Sequence, residues 1–153
     1  MTLDEYLGTG VTVDLGAHTF EADAIKAFAA KFDPQPFHLD EEQAKRSVLG
    51  GLCASGWHTA SVWMKLNVAT PTTIRAWDGP GPEPVFGPSP GFQNMRWPKP
   101  IYAGDTVRYT RTVLGHRRMA SKPGWRIVTL KADARNRNGD LVMEFESAVL
   151  LKG

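Results

Sequence analysis

Apolar positions along this chain follow two periods, and the change from one to the other divides it. In the first half the spacing is helical. Ile25, Phe28, Ala29 and Phe32 fall at i, i+3, i+4 and i+7, which predicts an amphipathic helix over Glu21 to Phe32. Asp40 to Arg46 reads as a short helix with Asp40 as its N-cap. Gly50-Gly51 then breaks the chain. The segment from Ser55 to about Val68 predicts a second long helix of a different kind. It has no acid and one base, Lys65, and carries Trp57, Ala60, Val62, Trp63, Met64 and Leu66 on several faces. A helix apolar nearly all round is usually buried, so a central helix wrapped by a sheet is expected.

From Phe92 onward the period is two. Strands are expected over Phe92 to Trp97, Asp105 to Gly115, Trp125 to Asn136 and Leu141 to Leu151. Val107, Tyr109, Arg111 and Val113 share one face of the second of these. Asn138-Gly139 signals a tight hairpin between the last two. Val11-Thr12-Val13 opens an earlier strand, and Gly115 to Gly124 reads as a basic loop. Pro71 to Pro90, rich in Pro and Gly, reads as a long loop inside the domain, because strands follow at once. Helices followed by a run of antiparallel strands predict an α+β fold, a single domain over 1–153 with the sheet around the helix from Ser55.

Composition narrows the function classes. Of 153 residues, 42% are hydrophobic and 22% charged, ordinary values for one globular core. The net charge of +2 is spread along the chain, which leaves no electrostatic footprint for nucleic acid. Cys53 is the only cysteine, so no intrachain disulfide forms and a reducing compartment is expected. The N-terminus has acids where a signal peptide has bases. The most apolar helix is too short to span a bilayer. A soluble, cytoplasmic protein without membrane contact is the expectation.

The candidate chemistry lies in Phe32-Asp33-Pro34-Gln35-Pro36-Phe37-His38. A carboxylate and an imidazole stand five positions apart, and each proline fixes φ and disfavours helix at the residue before it. An extended, stiff connector presenting Asp33 and His38 to one small molecule is expected, a general acid/base arrangement. From spacing alone, a capped turn explains the same residues. Cys53 has no base beside it in sequence and reads as a small buried residue. His58 reads as a satisfied core group. Arg117, Arg118 and Lys122 read as a solvated hairpin tip rather than a phosphate site, and the facing of Arg96 and Trp97 is open. No His/Cys cluster has zinc spacing, and no phosphate-binding glycine motif is present, so no metal or redox cofactor is expected.

FAAKFDPQPFHLDEEQAK, then LGGLCASGWHTAS, then Pro100-Ile101-Tyr102-Ala103-Gly104-Asp105 together resemble the MaoC-like or (R)-specific enoyl-CoA hydratase branch of the hotdog fold. The resemblance implies that Asp33 and His38 are the catalytic pair. It also implies that the Gly56 N–H faces the thioester carbonyl. Gln35 replaces the family's Asn, and Ser55 replaces its His before the glycine. Both lie beside the implied pocket and join Gly56 and Met64 as candidate substrate contacts; Trp57, Trp63 and Met64 read first as core, with the wall of an acyl tunnel as the alternative for Met64. The implied reaction is reversible hydration of a 2-enoyl-CoA, with coenzyme A only as part of the substrate. The implied assembly is at least a homodimer. The alternatives are a hotdog thioesterase, disfavoured by the acid-free helix, and a non-catalytic acyl-CoA-binding subunit.

Overall fold

The period-two segments become a curled antiparallel sheet, and the helix from Gly56 lies in its hollow. The computed structural model describes Met1–Gly153. In chain order the elements are α1 (Leu3–Leu7), β1 (Thr12–Thr19), α2 (Ala22–Phe32), α3 (Pro36–Leu39), α4 (Glu41–Arg46), α5 (Gly56–Ala69), β2 (Val85–Phe86), β3 (Gly91–Arg96), β4 (Thr106–Arg118), β5 (Trp125–Arg135) and β6 (Leu141–Lys152). The strand order is β1-β4-β5-β6-β2, and β3 also pairs with β6. All pairings are antiparallel. This is the hotdog arrangement.

The alternation on β4 holds: Val107, Tyr109, Arg111 and Val113 are all buried. Val107 and Tyr109 join Phe20, Ile25 and Phe145 in one core cluster with Trp63 of α5. Two aromatic side chains bond the middle of the helix to the sheet. Trp63 Nε1 donates to the Thr110 carbonyl at 3.1 Å, and Tyr109 Oη to that of Thr59 at 3.0 Å. α1, with a Thr2/Glu5 capping box, plugs the far end with Tyr6 and Leu7 against Val113, Val128 and Leu151.

Four expectations need correction. α5 is covered on one side only: His58, Thr59, Val62 and Trp63 are buried, but Trp57, Met64 and Val68 form an exposed stripe. The sheet curls around the helix without closing, so it covers only the residues facing its hollow. The connector is extended only to Gln35, because Pro36 begins a one-turn helix; proline at a first helical position lacks an N–H that would be unpaired anyway. β4 runs on to Arg118, since Arg117 and Arg118 keep pairing with β5, so the basic loop is shorter than expected. The β5–β6 connection is a five-residue loop, 136–140, whose turn is closed by the Asn136 side chain accepting from the Asn138 and Asp140 N–H groups.

His58 is buried, but not satisfied as expected. Its ring stacks on Phe28 at 4.6 Å and meets Phe20 edge-on, and its Nδ1 has no hydrogen-bond partner. Burial, aided by His18, pulls its pKa from 6.5 down to about 4. The unfolded chain therefore binds the proton more tightly. The stability this gives is complete above about pH 6.5 and is lost as the pH falls towards 4. His58→Phe should flatten that decline. In urea melts at pH 7 and pH 5, the difference between wild type and variant should amount to about 2 kcal/mol. Parallel losses in both proteins would refute the assignment.

Candidate active site

Three short segments meet where α5 begins. Cys53 N–H donates to the Phe37 carbonyl, and Ala54 N–H to that of Ile101. Ala103 N–H returns the link to Leu52. The Leu52–Ala54 stretch is thus stapled between the α3 turn and the Pro100–Asp105 motif. That motif is a tight turn: Asp105 accepts from Tyr102 N–H, and Gly104 takes φ +91°, a conformation that favours glycine.

This staple sets the imidazole. His38 is buried, and its Nδ1 lies 2.6 Å from the Cys53 carbonyl oxygen. A carbonyl only accepts, so Nδ1 carries a proton and Nε2 is the nitrogen turned towards Asp33. Nε2 lies 3.3 Å from Asp33 Oδ2. Asp33 also accepts from Gln35 Nε2 at 2.6 Å and from Ser55 Oγ at 2.7 Å. Partial burial opposes its charge, but the bonds from Ser55 and Gln35 and the nearby His38 outweigh this, holding the carboxyl below its ordinary range. The Asp33 carboxylate is an acceptor, and so is Nε2 whenever it carries no proton. A molecule with two O–H donors suits the space they share.

Gly56 is the first residue of α5, and its N–H makes no hydrogen bond within the protein. Such N–H groups at helix starts are donors with positive potential behind them. A Cβ on Gly56 would come closer than 3.0 Å to three atoms of the Trp97 indole, whose Nε1 donates to the Gly56 carbonyl. Trp97, rather than any substrate, covers this face of the glycine. Asp33, Gln35, His38 and Gly56 line one pocket of about 280 Å³.

Two candidate contacts lie elsewhere. Ser55 is fully buried and does not line the pocket; it caps α5 by accepting from Trp57 N–H while donating to Asp33. Met64 faces a separate cavity, two helical turns from Gly56. Cys53 is buried as expected, its thiol pushed up by burial and by Asp33 to about 11, which leaves it protonated. The sequence reading missed Trp57, Trp97, Lys99 and Val142 as pocket walls. Only the Trp97-Pro98 junction, where a strand must stop, hinted at one of them. Arg117 and Arg118 lie at the opposite end of β4 from the pocket, about 40 Å along the strand from Thr106.

Ser55→Ala should move the acid limb of any Asp33-dependent rate to higher pH. The lost bond is one that keeps the carboxyl ionised, so its pKa rises. The lost cap should cost about 1 kcal/mol of stability. A pH–rate profile unchanged in shape would show that Ser55 acts on the helix alone.

A hotdog sheet, a half-buried carboxylate beside a buried imidazole and a bare N–H at the start of the central helix go together with a class of protein. The chain belongs to the MaoC-like dehydratase domain family: the MaoC like domain matches residues 6–134. It is similar along its length to the MaoC-like dehydratase of Rhodospirillum rubrum, at 39% identity, TM-score 0.79 and 96% coverage of both chains. The (R)-hydratase from A. caviae involved in PHA biosynthesis matches at 25% identity and TM-score 0.67, over 92% of this chain and 94% of that one. Uncharacterized protein YdeM of Bacillus subtilis is 29% identical over 152 residues, 99% of each chain. No helix is long and apolar enough to cross a membrane.

Proposed function

We propose that this chain adds water reversibly to a 2-enoyl-CoA, giving the 3-hydroxyacyl-CoA. The observation that carries this is the convergence of Asp33, His38 and the free Gly56 N–H on one pocket. A water held by Asp33 Oδ2 and His38 Nε2 gives up one proton to the pair as its oxygen bonds to C3 of the enoyl group. The C2–C3 π electrons move onto the carbonyl oxygen, where the Gly56 N–H stabilises the enolate. The enolate then collapses and C2 takes a proton back from the pair. One water is added, and the enzyme ends as it began. The reverse path removes water.

The test uses crotonyl-CoA, with the enoyl absorbance and free thiol followed separately. Loss of absorbance without thiol release is expected. Thiol release with the double bond intact would identify a thioesterase instead. The acid-free α5 supports the hydratase reading, since no carboxylate stands on that helix to serve hydrolysis.

The working unit in this reading is a homodimer. The Trp57, Met64 and Val68 stripe and the β3 edge with Phe92, 55% exposed, are apolar surfaces that a second copy would cover. Size-exclusion chromatography at micromolar concentration should give twice the chain mass; a monomer peak would contradict it.

A further inference from the structure

One charge sits on the wrong side of the sheet. On β4 the inward positions are Val107, Tyr109, Arg111 and Val113, and Arg111 is only 4% exposed. Its Nη1 donates to Asn67 Oδ1 at 2.6 Å and reaches the Asn67 carbonyl at 3.5 Å; its Nη2 donates to the Pro71 carbonyl at 2.6 Å. All of these partners are neutral, and the Nε–H, which is not fully buried, has no partner in the protein. The negative end of α5 helps to tolerate the charge. Arginine stays protonated even when buried, and a buried charge is ordinarily paired with an opposite one.

Arg111 also borders a cavity of about 320 Å³ between the C-terminal half of α5 and the sheet. The other walls are mainly apolar, among them Trp63, Met64, Val113, Val128 and Leu130. This cavity shares no lining residue with the Asp33–His38 pocket. A guanidinium that only tied down the helix end would leave no reason for apolar space beside it. The volume is near the lower limit of small-molecule sites, about 300 Å³, which suits a short aliphatic chain and not a nucleotide.

We propose that this cavity binds an aliphatic carboxylate, its chain against Trp63, Met64 and Val128 and its carboxylate paired with Arg111. The ligand is either a free acid or the far carboxylate of a dicarboxylic acyl group. The proposal does not depend on the hydration reading, because its first readout is binding.

Octanoate and octanol share a chain and differ in charge. Calorimetric titration of the wild-type protein should show octanoate binding once per chain, at least 10-fold more tightly than octanol. Arg111→Met should reduce octanoate to the level of octanol. Because Arg111 also holds the end of α5, a second variant keeps the charge and fills the space: Val149 lines the same cavity, and Val149→Phe should weaken both ligands. Equal affinity for octanoate and octanol, no octanoate binding, or binding that survives both folded variants would each overturn the proposal. Initial rates on crotonyl-CoA separate the two sources. A KM raised by octanoate at constant kcat assigns the site to the substrate's own tail. Binding with an unchanged KM, or binding by a protein with no turnover, assigns it to a free acid.

Discussion

Asp33→Asn is expected to cut turnover of crotonyl-CoA about 10³-fold with little change in thermal stability. Asparagine keeps the shape of the side chain. One of its termini still accepts from Gln35, and the other can donate to the Ser55 hydroxyl, which accepts as readily as it donates. The loss is confined to the negative charge and the capacity to take a proton. His38 would still offer Nε2, because its tautomer is set by the Cys53 carbonyl and not by Asp33. Residual activity should therefore remain, resting on the imidazole and the Gly56 N–H. The measurement is kcat and melting temperature on the same preparation. Wild-type turnover in a folded variant would remove Asp33 from the chemistry and favour a binding subunit.

Gly56→Ala is the second large effect, and it should act on both fold and activity. The added methyl would overlap the Trp97 indole, which is itself hydrogen-bonded to the Gly56 carbonyl. Either the ring swings out or the start of α5 shifts. Overpacking of this kind costs about 1–3 kcal/mol. Moving the N–H away from the carbonyl oxygen should cost about 10²-fold in kcat. The double variant Gly56→Ala, Trp97→Leu separates the two effects. It should recover stability, because the obstructing ring is gone. It should recover turnover only if the N–H has returned to its place. Full wild-type activity in the single variant would mean that the helix start does not serve the reaction.

Much of the fold was legible because its elements obey simple periods. β4 alternates from Val107 to Val113 and β5 from Val128 to Ala134, and α2 shows its buried stripe at Ile25 and Ala29; β6 breaks the period at its start, where Val142 and Met143 are both buried. The misreadings have local causes. Pro36 keeps Gln35 extended, as expected, but a proline also suits the first position of a helix, so the extended connector stops short of His38. α5 was read as buried all round because Trp57, Met64 and Val68 are apolar; a sequence does not say whether such a face meets its own sheet or a second chain. In the site, motif resemblance led to Asp33, His38 and Gly56. It did not lead to Trp97 or Val142, because those reach the pocket through strand pairing across long separations in sequence. Ser55 caps α5, as its residue type favours at a helix start, but it does not line the pocket. Its burial and its bond to Asp33 are tertiary facts.

The Ser55 hydroxyl belongs at once to the start of α5 and to the carboxylate of Asp33. The group that would stabilise the enolate and the group that would move the proton are therefore tied to one anchor. The opposite wall of the pocket, from Trp97 to Ile101 and at Val142, is carried by other segments. Mutations at Lys99 and Val142 should reshape the cleft while Asp33, His38 and the Gly56 N–H keep their spacing, whereas Trp97 and Ile101 are hydrogen-bonded to the start of α5. In the proposed reaction one half of the pocket would react and the second half, at Lys99 and Val142, would select. Directed evolution towards new acyl groups should accumulate its changes on the second half and leave the serine alone.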